Sequence, residues 1–382
     1  MNMQNNSLQQ GLAALREGRP AEAERFLESA VAGSTSSASA WLALAFSRVH
    51  LEKPEAALVA VDRALALEPR NLRALLFKAD HLARLGQGRG AVAFYQAALQ
   101  VAAGAGSLPA DVQSALRRAS VACEQASDRY QRHVLETLEA QGYQADAAPR
   151  FAESLAIAFG EQSVQLQQPT RYYFPGLPQR SFYERSEFTW VAELEAATAA
   201  IRREVLALER AGGCFQPYLE SSADIPALNR SANLNSPDWG ACYLWREGEP
   251  VADVQQRCPE TVRALSRLPL CEVPGQMPSV LFSRLAPGTR IEPHHGAVNT
   301  RLICHLPLVV PEDCGALRVG NQQRPWREGE LLIFDDSMEH EAWNDSQAPR
   351  IVLLFDIWRP ELNAEERLRV SQLLTAVRAY ET

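Results

Sequence analysis

The residues of this chain that could do chemistry begin in the stretch "IEPHHGAVNTRLICHLPL", Ile291 to Leu308. A His two residues before an acid, with a second His much later, is the signature of a 2-His-1-carboxylate metal centre. Here the place of the acid is held by Gly296. The later His is His340, in "ELLIFDDSMEHEAWND", just after a run that reads as a buried strand and an acidic turn. A lone His in such a place is ordinarily a core or surface residue; paired with His294 at an earlier strand end, it becomes a candidate ligand. Four of the seven His (His294, His295, His305 and His340) fall in this one region. If Ile291 to Gly296 is extended, neighbours point to opposite faces, so only one of His294 and His295 can face a metal. Asp336, four residues before His340, is the nearest substitute for the missing acid.

Short strands must position these groups. From Gln165 the chain is rich in Pro, Gly and aromatics, with one helical stretch between Val191 and Arg210. Short apolar or alternating runs follow: "ACYLW", "SVLFSRL", "RLICHLPLVV", "ALRVG", "ELLIFD" and "RIVLLFDIW", bounded by Gly, Pro and Asn-Asp turns. Many short strands so bounded predict an all-β sandwich or barrel with flanking helices. An eight-stranded jelly roll of the cupin kind fits, its open mouth holding a metal between two sheets. The C-terminal "ELNAEERLRVSQLLTAVRAYET" predicts an amphipathic helix with Leu368, Val370, Leu373, Leu374 and Val377 on its apolar side, packed against the barrel or, as the alternative, forming a dimer contact.

The N-terminal third repeats at a spacing of 34: Ala23, Ala57 and Ala91; Ala30, Ala64 and Ala98; Leu8, Leu42 and Leu76. Small residues at such points let antiparallel helices approach, and Pro69 closes the second unit. The pattern resembles the tetratricopeptide repeat, a helical solenoid that offers a surface for a peptide or partner protein or serves as a dimerisation or spacer element. A helix from about Ala110 to Gln141 and another over "FAESLAIAFG" would cap it.

Composition removes several classes. With 38 basic against 46 acidic residues, a net of −8 and no basic block, nucleic acid is a poor partner. No apolar run approaches the roughly 20 residues of a membrane-spanning helix, and the first residues lack a signal-peptide pattern. Seven scattered Cys without a CxxC pair predict reduced thiols and a cytoplasmic location, with no disulfide frame.

Taken together, "FPGLPQRSFYERSEFTWV", "NSPDWGACYLW", "EPHHG…N.RL..HL", "W.EGE.L.FDDS.EHE.WN" and "R…FD.W.P" resemble the aspartyl/asparaginyl β-hydroxylases, over about Gln165 to Pro360. These are iron(II)- and 2-oxoglutarate-dependent oxygenases, some with helical repeats ahead of the catalytic domain. The resemblance implies His294 and His340 as the metal ligands, leaves His295 at the rim, and makes Gly296 the family's own residue. It implies Arg350 as partner of the distal cosubstrate carboxylate, Ser283 as a hydroxyl donor, and His305 near the other carboxylate. Arg suits a carboxylate because its planar fork donates two parallel bonds. Asp336 is expected to orient a water or a ligand imidazole. Animal members carry an Arg where this chain has Ile303; Arg301, or Arg318 from the next strand, is expected to compensate. In a regular strand Asn299, Arg301, Ile303 and His305 share one face.

The expected fold is α+β and multidomain: repeats over 1–104, a helical cap over 105–164, an oxygenase jelly roll (double-stranded β-helix) over 165–361, and a terminal helix over 362–382. The expected cofactors are Fe(II), 2-oxoglutarate and O2. The expected reaction is hydroxylation of an unactivated C–H, the β-carbon of Asp or Asn, in a polypeptide or carrier-bound substrate. Three other readings compete. A zinc hydrolase would use His294, His340 and Asp336. A catalytically dead barrel would serve as an interaction module. A lipid or small-molecule hydroxylase would keep the same site.

Overall fold

The computed structural model describes residues 2–32, 36–221 and 232–381. Within it the chain divides into two compact units, 1–159 and 160–382.

The first unit is built from antiparallel helix pairs: α1 (Asn2–Arg16) with α2 (Pro20–Val31), α3 (Ala38–His50) with α4 (Pro54–Leu67), and α5 (Leu72–Arg84) with α6 (Gly88–Ala103). The 34-residue period has direct structural counterparts. Ala23, Ala57 and Ala91 are buried, as are Ala30, Ala64 and Ala98, where the helices approach. The side chains of Ser37 and Asn71, one period apart, cap α3 and α5 by accepting from the amides of Ala40 and Ala74. The turn inside each pair passes through a left-handed residue, at Gly18, Glu52 and Gly86. Glu52 bears a side chain there, a conformation glycine adopts at less cost. Helix α7 (Ala110–Ala140) covers α6 with Val112 and Ala119, and α8 (Pro149–Ala158) follows.

Among the described residues the second unit holds twelve strands: β1 (Phe182–Tyr183), β2 (Gln216–Pro217), β3 (Trp239–Arg246), β4 (Glu249–Pro250), β5 (Val280–Leu285), β6 (Thr289–His294), β7 (Arg301–Val309), β8 (Ala316–Val319), β9 (Gln322–Pro325), β10 (Leu332–Phe334), β11 (His340–Asn344) and β12 (Arg350–Trp358). Its helices are α9 (Val191–Ala196), α10 (Thr198–Ala211), α11 (Ala252–Arg257), α12 (Pro259–Leu265) and α13 (Ala364–Glu381). The larger sheet runs β1-β10-β7-β12-β5-β3-β2, with β4 on β3; the smaller runs β6-β11-β8-β9. Every pairing between these strands is antiparallel.

Alternation along β7 and β12 separates two cores. Leu302, Cys304, Leu306 and Leu308 of β7, with Ile351, Leu353, Phe355 and Ile357 of β12, pack with Ile201, Val205 and Leu208 of α10. The opposite faces send Ile303 and Val352 into a second core with Ile291, Leu317, Val319 and Ala342 of the smaller sheet. A period of two therefore lays Arg301, Ile303 and His305 along one wall between the sheets.

Three expectations are corrected here. Cys214 and Cys242 form a disulfide, because β2 lies beside β3 and brings their Cα atoms to 5.3 Å; the other five cysteines are free. On α13 only Val370 and Leu374 of the five apolar residues are buried, against Leu177, Val273 and Trp358; Leu368, Leu373 and Val377 are exposed. Asn299 precedes β7 and does not share its cavity face. Its amide is bonded to the backbone of Phe174 and to Gln167, pinning the segment that leads into β1. Among the described residues no helix is long and apolar enough to cross a membrane.

Candidate active site

Between the two sheets lies a cavity of about 700 Å³. His294 ends β6 and His340 begins β11, and the antiparallel register sets them directly opposite each other. Opposed residues in such a pair stand close enough for side chains to meet. Their ring centroids are 4.1 Å apart, with planes at 48°. Each ring is oriented in the same way: Nδ1 lies 2.8 Å from the Glu292 carbonyl in one and 3.0 Å from the Met338 carbonyl in the other. A carbonyl only accepts, so each Nδ1 carries a proton, and Nε2 is the nitrogen each ring leaves for a ligand. His294 sits exposed at the mouth, whereas His340 is buried. Burial, and then the charge of His294, push the His340 pKa down to about 3. His295 is half-buried and does not line the cavity.

Gly296 is explained by Asp336. A Cβ built on residue 296 would overlap the Asp336 carboxyl group, so the acid missing from 296 has a neighbour's carboxylate in its space. The Gly296 amide donates to the Asp336 carbonyl at 2.6 Å, locking the two segments together. Asp336 Oδ2 accepts from Arg301 at 3.0 Å, while its Oδ1 is buried without a partner. Arg301 also donates to Asp356 at 2.8 Å, so both Nη atoms of its fork are taken by carboxylates. Burial alone would lower the Arg301 pKa, but Asp336 and Asp356 together raise it. Burial raises the pKa of Asp356, against the pull of Arg301.

Arg350 differs from Arg301 in having no carboxylate. It is 1% exposed, and its Nε and one Nη have no hydrogen-bond partner. Burial lowers its pKa to about 10. Beneath it lies the Trp326 ring, 4.5 Å from the guanidinium carbon, and His305 stacks on the same indole. His305 Nδ1 is also buried and unpaired, and burial followed by the charge of Arg350 holds this imidazole neutral, its pKa well below the usual value. Ser283 lines the same cavity, its Oγ accepting from Trp239 Nε1 at 3.2 Å.

The cavity thus brings together His294, His340, Asp336, Arg301, His305, Ser283 and Arg350. Arg318, the other candidate to compensate for Ile303, is engaged elsewhere: its guanidinium is bonded to Glu341 and Glu339 and does not reach the cavity. Among the described residues no group of three His, Cys, Asp or Glu is arranged to hold an ion. Two imidazoles would be the protein's share. That set, beside a deep unpaired cation and several unpartnered polar atoms, fits a divalent metal whose remaining ligands come from a carboxylate-bearing small molecule and water. Trp326, Asp356 and the stacked Tyr218–Trp239 pair were not singled out as site residues in the sequence. Trp326 stood inside a recognised motif, but nothing local signals that it underlies Arg350.

A two-sheet site of this kind has relatives. The family model for aspartyl/asparaginyl beta-hydroxylase matches residues 195–360. The chain is 35% identical over 179 residues to the human aspartyl/asparaginyl beta-hydroxylase, covering 46% of this chain and 22% of that protein. It is 30% identical over 218 residues to the ornithine lipid ester-linked acyl 2-hydroxylase of Rhizobium tropici, covering 56% of this chain and 74% of that one. The helical unit is similar to the Arabidopsis OM64 TPR domain, at 18% identity and a TM-score of 0.28, over 31% of this chain and 95% of that domain. The chain belongs to the aspartyl/asparaginyl β-hydroxylase family. It spans only about a fifth of the human enzyme's length.

Proposed function

We propose that the chain is an Fe(II)- and 2-oxoglutarate-dependent hydroxylase acting on an unactivated C–H bond. Its two antiparallel sheets are read as a double-stranded β-helix, or jelly roll, over residues 165–361. Residues 1–104 would be TPR-like repeats, 105–164 their helical cap, and 362–382 a terminal helix. The observation that carries this reading is Arg350, an unpaired guanidinium 1% exposed in the cavity that also holds the His294–His340 pair. A buried charge without a partner is costly, and a cavity that keeps one is built for a ligand of opposite sign.

In this reading His294 and His340 hold the iron through Nε2, each oriented by its carbonyl. Arg350 and Ser283 take one carboxylate of 2-oxoglutarate, and His305 lies toward the other. When bound, the iron and 2-oxoglutarate together supply the activation of O2 that hydroxylation of a C–H bond requires, with succinate and CO2 as coproducts. Asp336, fixed by Arg301, would accept a hydrogen bond through its unpartnered Oδ1 from a water held near the metal. The apolar walls from Ile291, Ile303, Leu317 and Leu354 exclude bulk water from the reacting groups. The substrate is a polypeptide, carrier-bound or acyl-chain group; the human relative's name points to Asp or Asn, the Rhizobium relative's to a lipid acyl chain. The helical repeats would supply a surface for a polypeptide partner, and a cytoplasmic location is part of the proposal.

Anaerobic Fe(II) with 2-oxoglutarate tests the reading. A weak visible charge-transfer band is expected in the wild type and is expected to vanish in His294→Ala and His340→Ala. No band at saturating ligand would refute it.

A further inference from the structure

Among the described residues, four charged side chains line the cavity: Glu292, Arg301, Asp336 and Arg350. Arg301 is shared between Asp336 and Asp356, so these three groups together carry a net charge of about −1 and both Nη atoms of the Arg301 fork already hold a carboxylate. Glu292 stands exposed at the mouth beside His294. Arg350 is therefore the single unmatched cation of this wall, and on the proposed reading the dianionic cosubstrate takes it. Toward the mouth there remain Glu292, the anionic Arg301 group and apolar surface. Ile303 occupies the position on β7 between Arg301 and His305 from which a second cation would face the cavity. Tyr218 lies flat on Trp239, centroids 4.1 Å apart, giving a flat aromatic flank. Arg171, whose amide is bonded to the Ala297 carbonyl, does not line the cavity.

We infer that the group hydroxylated here bears no carboxylate: the site takes an uncharged, carbon-rich group, such as an aliphatic or carboxamide side chain or an acyl chain, and rejects an aspartate-like one. An acidic side chain entering past Glu292 would lose its hydration, meet the anionic Arg301 group, and find among the described residues no unmatched side-chain cation, the metal being already engaged by the cosubstrate. Discrimination would come from this repulsion as much as from contact with the apolar wall. The inference rests on Arg350 being occupied by 2-oxoglutarate and narrows the substrate class of that same site.

The test is calorimetric binding to the full chain loaded with Mn(II) and 2-oxoglutarate, which reads association without turnover. Three scaffolds are titrated as matched pairs: a peptide, an aminoacyl pantetheine thioester and a medium-length acyl chain, the two members differing only in a carboxylate against a carboxamide at the reactive end. Binding of 2-oxoglutarate is measured first, and its failure would sink the cosubstrate reading and this inference together. With 2-oxoglutarate bound, the carboxamide is expected to bind at least about ten-fold tighter in each scaffold that binds. Ile303→Arg is expected to reverse that preference. Glu292→Gln, a surface change that leaves the core untouched, should narrow it by about three-fold. Equal or tighter binding of a carboxylate member by the wild type would overturn the inference, as would no binding by either member of all three pairs.

Discussion

Replacing Arg350 by Met should make the ligand-free protein more stable and the liganded protein less so. The guanidinium is held at a pKa of about 10, and because the charged form is the disfavoured one, the penalty is complete below that pH. A tenfold weakening of proton binding corresponds to about 1.4 kcal/mol, which puts the burial cost at roughly 3 kcal/mol. Stacking on Trp326 at 4.5 Å returns about 1–2 kcal/mol. Met keeps most of the stem and removes the charge, so Arg350→Met should gain about 1–2 kcal/mol in the ligand-free state, a rise in Tm of about 2–8 °C for a unit of this size. With Mn(II) present throughout, adding 2-oxoglutarate to the wild type at about a hundred times Kd should add about 2.7 kcal/mol, and the variant should gain nothing from the 2-oxoglutarate. The order of stability therefore crosses on adding ligand. Tryptophan fluorescence during thermal unfolding is a suitable assay, since six of the seven Trp belong to the second unit. A variant less stable without ligand, or one that keeps the ligand-induced rise in Tm, would refute the assignment of Arg350 as a preformed anion site.

Two further outcomes follow from the same geometry. Buried His340 and His305 stay neutral in the folded chain, His340 down to about pH 3, while unfolded imidazoles take up protons below about pH 6.5. Stability of the metal-free protein is thus complete above about pH 6.5 and lost as pH falls toward 3, by up to about 5 kcal/mol for His340 alone. Urea midpoints of His340→Gln should fall less steeply across that window, and parallel curves would contradict the burial argument. Gly296→Ala should cost about 1–3 kcal/mol by driving a Cβ into the Asp336 carboxyl, and much less in an Asp336→Ala background. Additive costs in that double-mutant cycle would mean the two residues do not share the space.

What could be read from the sequence divides by range of contact. The helical repeats were legible because each 34-residue unit repeats its own packing, so Ala57 and Ala64 report locally on a close helix pair. Strands β3, β5, β7, β8, β10 and β12 were legible as apolar or alternating runs. Strands β9 and β11 were not, being short and partly polar, nor were α11 and α12, whose brief turns carry little periodicity. The apolar side of α13 was overread, because period alone cannot say which of its leucines the sheet unit covers. The facing of His294 and His340 depends on a register joining strands 46 residues apart, and only family resemblance suggested it. Equally, Arg301 looked like a free cation until its carboxylates, Asp336 and Asp356, came from two other segments of the fold.

The same long-range packing gives the glycine at 296 its physical meaning. A carboxylate at 296 beside that of Asp336 would put two anions in contact, with Arg301 already divided between Asp336 and Asp356. One of the two would have to be protonated or displaced. With glycine, a single carboxylate reaches this corner, its outer oxygen tied to Arg301 and its inner one free. On the proposed reading, the metal position is then offered two imidazoles and no anionic protein ligand. On the proposed reading, a divalent ion there keeps its full charge for a chelating dianion, whose far end meets Arg350, the one unmatched cation of the wall among the described residues. Supplying an acid at 296 would weaken that demand, so the two-histidine site and the unpaired arginine belong to one electrostatic arrangement.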